Sequence, residues 1–251
     1  MASISAIVIT RNEQANIEAC LRSLDWTDEI VVVDSGSSDK TVTLAKRITP
    51  KVFLRKWDGF GAAKSFAVSK AKGEWILWVD ADERVPELLK EEILKTVSSP
   101  STHAAFSFPR KSNFLGRWIL HSGWYPGRVV RLFKKGAGEF TGHKVHERLI
   151  VQGSIGELKS DILHYTDPNL FHYFEKFNRY TSLGAEELVR EGTAFSLWQV
   201  LVKPWWTFLR MYFIRLGFLD GFQGFVLAVV SSAYVFIKYT KLWELDARKT
   251  P

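Results

Sequence analysis

A single cysteine, Cys20, stands among 251 residues, so an internal disulfide framework is excluded and stability must come from a packed core. Nothing near Cys20 resembles the surroundings of a nucleophile, and it reads as a small buried hydrophobe on a helix. A basic stretch followed by an apolar one and a cleavage site is also missing. The chain opens directly on strand-like residues 4–10, which argues against a secretory leader. The longest uncharged run, 221–237, falls short of the roughly 20 apolar residues that cross a bilayer and contains Gln223, Ser231 and Ser232. Internal repeats and low-complexity tracts are not visible. No nucleic-acid-binding module accompanies the positive charge, so nucleic acid is not an expected partner.

What is present is a globular composition, 46% hydrophobic and 24% charged, in a length that suits one domain of about 150 residues plus an appendage. The net charge of +7 is localised. Residues 101–150 hold nine Lys/Arg against Glu139 and Glu147, and the remainder is balanced. Such a concentration points to an anionic partner, a phosphate or an anionic lipid, although a solvated basic surface has the same composition.

The first half alternates short apolar runs with amphipathic stretches. Strand candidates at 4–9, 29–33, 52–54 and 75–79 alternate with helical patterns, the first marked by Ile17, Cys20, Leu21 and Leu24 and the last opened by Pro86. Repeated β-α units predict an α/β fold, a Rossmann-like and mostly parallel sheet with helices on both faces. Ligands of such sheets bind beyond the carboxyl ends of the strands, which selects 10–13, 34–39 and 80–83. Beyond Ser98 the pattern becomes turn-rich, as expected of a segment that shapes a cleft. Asp167 and Pro168 open a helix whose inner side takes Phe171, Phe174 and Leu188, and Gly192 ends it. From 197 to 243 the chain is rich in Trp, Phe, Tyr and Leu, with Lys203, Arg210, Arg215, Lys238 and Lys241 distributed through it. This predicts amphipathic helices lying in an anionic membrane surface, with a buried or oligomerising helical hairpin and a true span as the alternatives. The expected division is 1–165 for the ligand-binding sheet domain and 166–251 for a helical, membrane-associating region.

The strongest chemical signal is the apolar strand Trp75-Ile76-Leu77-Trp78-Val79 ending in Asp80-Ala81-Asp82-Glu83. If the extended geometry continues, a period of two places Asp80 and Asp82 on one side. Two hard carboxylates there suit Mg²⁺ or Mn²⁺ bridged to a diphosphate, while helix capping is the structural alternative. Asp34-Ser35-Gly36-Ser37-Ser38-Asp39-Lys40-Thr41 is the second signal. Its small residues, Gly36 among them, let the backbone approach a nucleotide, Asp34 is placed to accept from a base or ribose, and Asp39 caps the following helix.

In order and spacing, four segments resemble the family 2 glycosyltransferases of GT-A fold. They are Ile7-Val8-Ile9-Thr10-Arg11-Asn12-Glu13, Val31-Val32-Val33-Asp34 with the loop after it, Gly61-Ala62-Ala63-Lys64-Ser65, and Asp80-Ala81-Asp82. The resemblance implies that Thr10, Glu13 and Asp34 hold the uracil-ribose end of a UDP-sugar, with Asn12, Gly36 and Asp80 in the same nucleotide-sugar site. It also implies that Lys64 lies near the nucleotide and that Asp82 carries the metal. Family members often have Arg-Asn where this chain has Lys64-Ser65.

A narrower resemblance, to bacterial lipopolysaccharide inner-core glucosyltransferases, rests on Trp124-Tyr125-Pro126-Gly127, Arg131-Leu132-Phe133, Val145-His146-Glu147, Asn178-Arg179-Tyr180-Thr181, Gly217-Phe218-Leu219-Asp220-Gly221 and Lys241-Leu242-Trp243-Glu244. It implies UDP-glucose as donor and a lipid-linked, phosphorylated saccharide as acceptor. It also implies action at the cytoplasmic face of the inner membrane.

Inverting transfer needs a base for the acceptor hydroxyl. Where such enzymes carry theirs, this chain has Glu147, for which a salt bridge is the structural alternative. His143-Lys144-Val145-His146-Glu147 is not the zinc pattern His-Glu-x-x-His. His164 is a candidate to complete the metal site or a satisfied structural histidine. Arg128 and Arg131 suit forked contacts to diphosphate or acceptor phosphate, or surface ion pairs. Trp124 offers a stacking face for the acceptor sugar, or a core plug. A nucleotidyltransferase and a non-catalytic membrane-peripheral protein remain as alternatives, the former without its usual glycine-rich first loop.

Overall fold

The computed structural model describes residues 2–140 and 149–247. They fall into two compact units, Met1–Arg110 with Arg128–His164, and Lys111–Gly127 with Tyr165–Pro251. This division differs from a single cut near residue 165, because 111–127 sorts with the C-terminal helices.

In the first unit, strands β1 (Ile4–Thr10), β2 (Glu29–Asp34), β3 (Val52–Leu54) and β4 (Trp75–Asp80) alternate with helices α1 (Ile17–Arg22), α2 (Thr41–Lys46) and α3 (Phe60–Lys70). The short β5 (Glu83–Arg84) and helix α4 (Glu87–Ser98) follow, with Pro86 directly ahead of the helix. Then come β6 (Ala105–Phe108), β7 (Arg110–Phe114), β8 (Arg117–Ile119), β9 (Val129–Lys134), β10 (Gly138–Phe140), β11 (Leu149–Val151), β12 (Ile155–Glu157) and β13 (Ile162–Asp167). Seven strands make one sheet in the order β12-β6-β9-β4-β1-β2-β3. Only the two pairings made by β9 are antiparallel.

Alternation along the central strands builds the two layers. Ala6, Val8, Val32, Leu77 and Val79 face α1 and α4, whose Ile17, Leu21, Leu89 and Ile93 close that core. Ile7, Val31, Val33 and Ile76 face the other way and pack with Ala67 of α3. Helices on both faces leave the strand ends as the open places. Because β1 lies between β2 and β4, the chain reverses its direction of winding there, and sheets of this kind take their ligands beyond the carboxyl ends of the strands at such a switch point, here β1 and β4. At the opposite end, Glu29 accepts from the Ser5 hydroxyl, the Lys51 ammonium and the Lys72 N–H. Burial pushes its carboxyl up, but these bonds outweigh burial and hold it at about 2.

In the second unit, β7 and β8 form a hairpin and helix α5 (Leu170–Arg190) is capped by Asn169, whose Oδ1 accepts from the His172 N–H at 2.8 Å. The inward line of α5 is Tyr173, Phe177, Thr181 and Ala185, spaced by four. The sequence reading is therefore corrected in phase: Phe171 is 76% exposed and Phe174 also faces solvent, while Leu188 does pack. Helices α6 (Leu197–Leu201) and α7 (Lys203–Leu209), a π-helical turn at Arg210–Ile214, a 3₁₀ turn at Gly217–Asp220 and α8 (Gly221–Ala247) complete the unit. Buried Asp220 accepts from the Leu120 and His121 N–H groups at 3.1 and 2.9 Å, which fastens 120–121 to this tail. A side chain at Gly224 would come within 2.0 Å of the Gly217 carbonyl, so only glycine admits that turn. Because the helix continues through Lys238, Gly217–Ala247 is long and apolar enough to cross a membrane by length and composition, a length the uncharged run alone does not reach.

Candidate active site

The loops after β1 and β2 are tied into one cradle by polar residues. The Ser35 N–H donates to the Thr10 carbonyl at 3.0 Å, and the Asn12 N–H to Ser37 Oγ at 2.8 Å. Asn12 Oδ1 accepts from the Ser38 N–H, the Glu13 N–H donates to Thr41 Oγ1, and the Gln14 N–H donates to Asp39. Asn12 takes a left-handed φ of 56°, which asparagine tolerates well and which turns the chain back toward β2. Asp39 accepts from the N–H and hydroxyl of Thr41, a local turn rather than the expected cap, because the N-cap position of α2 falls on Lys40, which makes no side-chain cap bond.

Asp34 is buried and organises its own turn, accepting from the Gly36 and Ser37 N–H groups at 3.0 and 2.9 Å and from the Ser37 hydroxyl. Gly36, at φ 88°, has no atom within 4 Å of where a Cβ would stand, so the loop backbone stays open to a ligand there. Glu13 accepts from the Asn16 amide at 2.9 Å. Thr10 differs from these neighbours. Its hydroxyl is buried and finds no hydrogen-bond partner among the described residues. An unpaired buried hydroxyl is costly, and a bound polar ligand satisfies it.

At the end of β4 the two aspartates part company. Ala81 and Asp82 form a turn, so the extended alternation on which a shared direction depends stops at Asp80. Asp80 accepts from Arg131 Nη2 at 2.5 Å and from the Trp78 indole at 3.1 Å. Arg131, 3% exposed against 34% for the Asp80 side chain, also donates to Glu83 Oε1 at 2.8 Å and lies 3.8 Å above the Trp78 ring. Glu83, fully buried, closes the turn by accepting from the Asp80 N–H at 2.9 Å. Burial pushes the Asp80 carboxyl up, yet Arg131 and Lys64 outweigh it and hold it at about 2. Burial drives the Glu83 carboxyl upward, against the attraction of Arg131. Beneath this turn, Cys20 Sγ donates to the Asp80 carbonyl at 3.5 Å, and burial raises its thiol well above the ordinary range.

Asp82 instead faces His164, with Nε2 at 3.3 Å from Oδ2 and both side chains partly exposed. β13 brings the histidine there by pairing with β5, where His164 stands opposite Glu83. Among the described residues no group of three or more His, Cys, Asp or Glu converges on a cation position. Asp82 and His164 offer one carboxylate oxygen and one imidazole nitrogen, fewer groups than a closed protein cage for a cation needs.

The other expected residues divide. The Lys64 ammonium is buried 3.6 Å from the Trp78 ring centroid, beside the acidic turn. Arg131 is not a surface phosphate contact but the buried partner of Asp80 and Glu83. Its Nε and Nη1 have no hydrogen-bond partner among the described residues. Arg128 uses its guanidinium on the Ser107 and Leu158 carbonyls at 2.9 and 2.7 Å, clasping strand edges. Trp124, in the second unit, packs against Phe114 and its cluster, as a core plug does. Glu147, with His143 and His146, lies outside the described residues. Sequence reasoning assigned no role to Glu83. The available signal was a third acidic residue directly after the Asp-x-Asp.

An uncharacterised glycosyltransferase of Rickettsia typhi is 31% identical over 99% of this chain and 89% of its own. The lipopolysaccharide core biosynthesis glycosyltransferase LpsC of Rhizobium meliloti is 28% identical over 98% of this chain and 94% of its own. In fold, the chain resembles the mannosyltransferase PcManGT of Pyrobaculum calidifontis, solved with GDP-Man and Mn²⁺. The TM-score is 0.57 at 16% identity, over 96% of this chain and 87% of that one. Residues 5–157, which hold the cradle and the acidic turn, match the model of glycosyl transferase family 2, and the chain belongs to that family.

Proposed function

We propose that this glycosyltransferase is an inverting, metal-dependent hexosyltransferase that moves glucose from UDP-glucose to a lipid-linked, phosphorylated saccharide. The proposed setting is lipopolysaccharide core or a related surface glycan, made at the cytoplasmic face of the bacterial inner membrane. The observation that carries the reaction is the separation of the two aspartates, Asp80 neutralised by Arg131 and Asp82 left facing His164 at 3.3 Å. The lipopolysaccharide setting is supported by the likeness to LpsC.

In this reading the cradle of Thr10, Asn12, Glu13, Asp34 and Gly36 receives the nucleoside, with the Thr10 hydroxyl gaining the partner it lacks. Asp82 and His164 would hold Mg²⁺ or Mn²⁺, which when bound offsets the negative charge growing on the diphosphate. Lys64 adds a fixed positive charge beside the same turn. Glu147 is proposed as base. It takes the acceptor hydroxyl proton while that oxygen bonds to the anomeric carbon from the face opposite the diphosphate; the carbon–oxygen bond to UDP breaks, and UDP leaves with the electron pair.

The test is UDP release from UDP-glucose with Mn²⁺ and a lipid-linked acceptor. Asp82→Ala is expected to lower turnover by about a thousandfold with an unchanged circular dichroism spectrum, the several kcal/mol expected of a lost charge-stabilising cation. Wild-type turnover in Asp82→Ala, or uridine nucleotide binding indifferent to Mn²⁺ by calorimetry, would overturn the reading.

A further inference from the structure

The helices that follow α5 carry their apolar residues on the wrong side for a water-soluble unit. Along α6 and α7, Val200, Pro204 and Met211 turn inward. The opposite face shows Trp198, Leu201, Trp205, Leu209 and, across the π-helical turn, Phe213, all exposed; Trp198 is 66% and Trp205 70% accessible. Steps of three, four and seven put these on one stripe. The surface continues through ring contacts from Phe208 to Phe225 and from Phe225 to Phe222, at 6.1 and 6.4 Å between centroids. An apolar surface of this extent marks an interaction site.

Charge decides what covers it. From Gly192 to Leu219 the chain has no Asp or Glu, while Arg210 and Arg215 are exposed and Lys203 is half-buried. Aromatic rings at headgroup depth with cations beside phosphates match an anionic lipid surface. A span is disfavoured by the company α8 keeps. Lys241 donates to Asn178 Oδ1, Thr181 Oγ1 and Ser182 Oγ at 2.8–2.9 Å, and Tyr234 to the Tyr180 carbonyl at 3.1 Å, fastening α8 to α5. α5 exposes Glu175, Arg179, Glu186 and Arg190, which α8 would have to carry into the hydrocarbon.

We infer that the outward face of α6 and α7, Trp198, Leu201, Trp205, Leu209 and Phe213 flanked by Arg210 and Arg215, docks this chain on an anionic bilayer surface without crossing it. The inference rests on the membrane setting proposed above and names the surface that meets it, while the transfer chemistry is tested separately, because docking needs no nucleotide.

The test is co-sedimentation of the full chain with vesicles of phosphatidylcholine, with and without about one-third phosphatidylglycerol. Binding is expected to need the anionic lipid, to weaken with salt, and to drop about tenfold or more in Trp198→Ser/Trp205→Ser and in Arg210→Glu/Arg215→Glu. Asp82→Ala should bind as wild type does, so failure here leaves the catalytic proposal standing and failure there leaves this one. The inference is overturned by wild type staying in the supernatant, by variants that bind undiminished, or by alkaline carbonate failing to release the protein, which would mark a span. It is equally overturned if sedimentation shows a dimer that Trp205→Ser dissolves, since a second copy would then be the occupant.

Discussion

The two units solve opposite problems with similar residues. In the first, apolar side chains close both faces of a sheet and the polar groups answer one another at a strand end: Asn12 with Ser37 and Ser38, Asp80 and Glu83 with Arg131. In the second, polar groups act as internal ties, Asp220 and Lys241 among them, and large apolar side chains turn outward. Composition alone does not separate the two arrangements, because a Trp in β4 and a Trp in α7 differ only in which face they occupy. The first arrangement fixes charges for chemistry, and the second spends its polar bonds on holding helices together.

Three substitutions in the first unit sharpen that contrast. Arg131→Met should act most strongly, taking from Asp80 and Glu83 the one cation that hydrogen-bonds to both, with only the more distant charges of Lys64 and Arg110 left beside them. A loss of about 3–5 kcal/mol is expected, read as a lower urea midpoint, because breaking one side of a buried ion pair strands the other. A midpoint near wild type would mean that the triad does not hold the turn.

Glu29→Gln should come next and should depend on pH. The Glu29 carboxyl is held at about 2 in the fold, below its unfolded value of 4.5, so its contribution is complete above about pH 4.5 and fades as pH falls toward 2. The variant is expected to lose on the order of 2 kcal/mol near neutral pH and to show a flatter acid limb in thermal melts taken across pH. Parallel acid limbs for variant and wild type would remove Glu29 from the account.

The smallest effect is expected for Thr10→Val, which deletes a hydroxyl the fold leaves unsatisfied. Its melting temperature should hold or rise slightly, while UDP affinity by calorimetry should weaken by about tenfold, one hydrogen bond's worth. Unchanged affinity would place the nucleoside elsewhere.

Much of this was legible in the sequence. The β-α alternation of the first 98 residues gives the parallel strands and both helical layers, since period two and period 3.6 read differently over such lengths. The cradle was legible because small and carboxylate residues cluster after β1 and β2. The fate of the acidic pair was not, because a turn begins at Ala81 and no local pattern announces that Arg131, 51 positions on, will claim Asp80. The same distance problem hid the role of 111–127, which is fastened by Asp220 from about a hundred residues away. In α5 the aromatic residues are so frequent that two helical phases read alike, and only packing against α8 selects Tyr173 and Phe177 over Phe171 and Phe174.

Cys20 turns these features into a natural reporter. As the sole sulfhydryl of the protein, sealed from solvent with its sulfur against the Asp80 carbonyl, it is unreactive while that strand end stays shut. The rate at which an aromatic disulfide reagent modifies it therefore clocks the opening of the acidic turn itself, with no label introduced and no background from any other position.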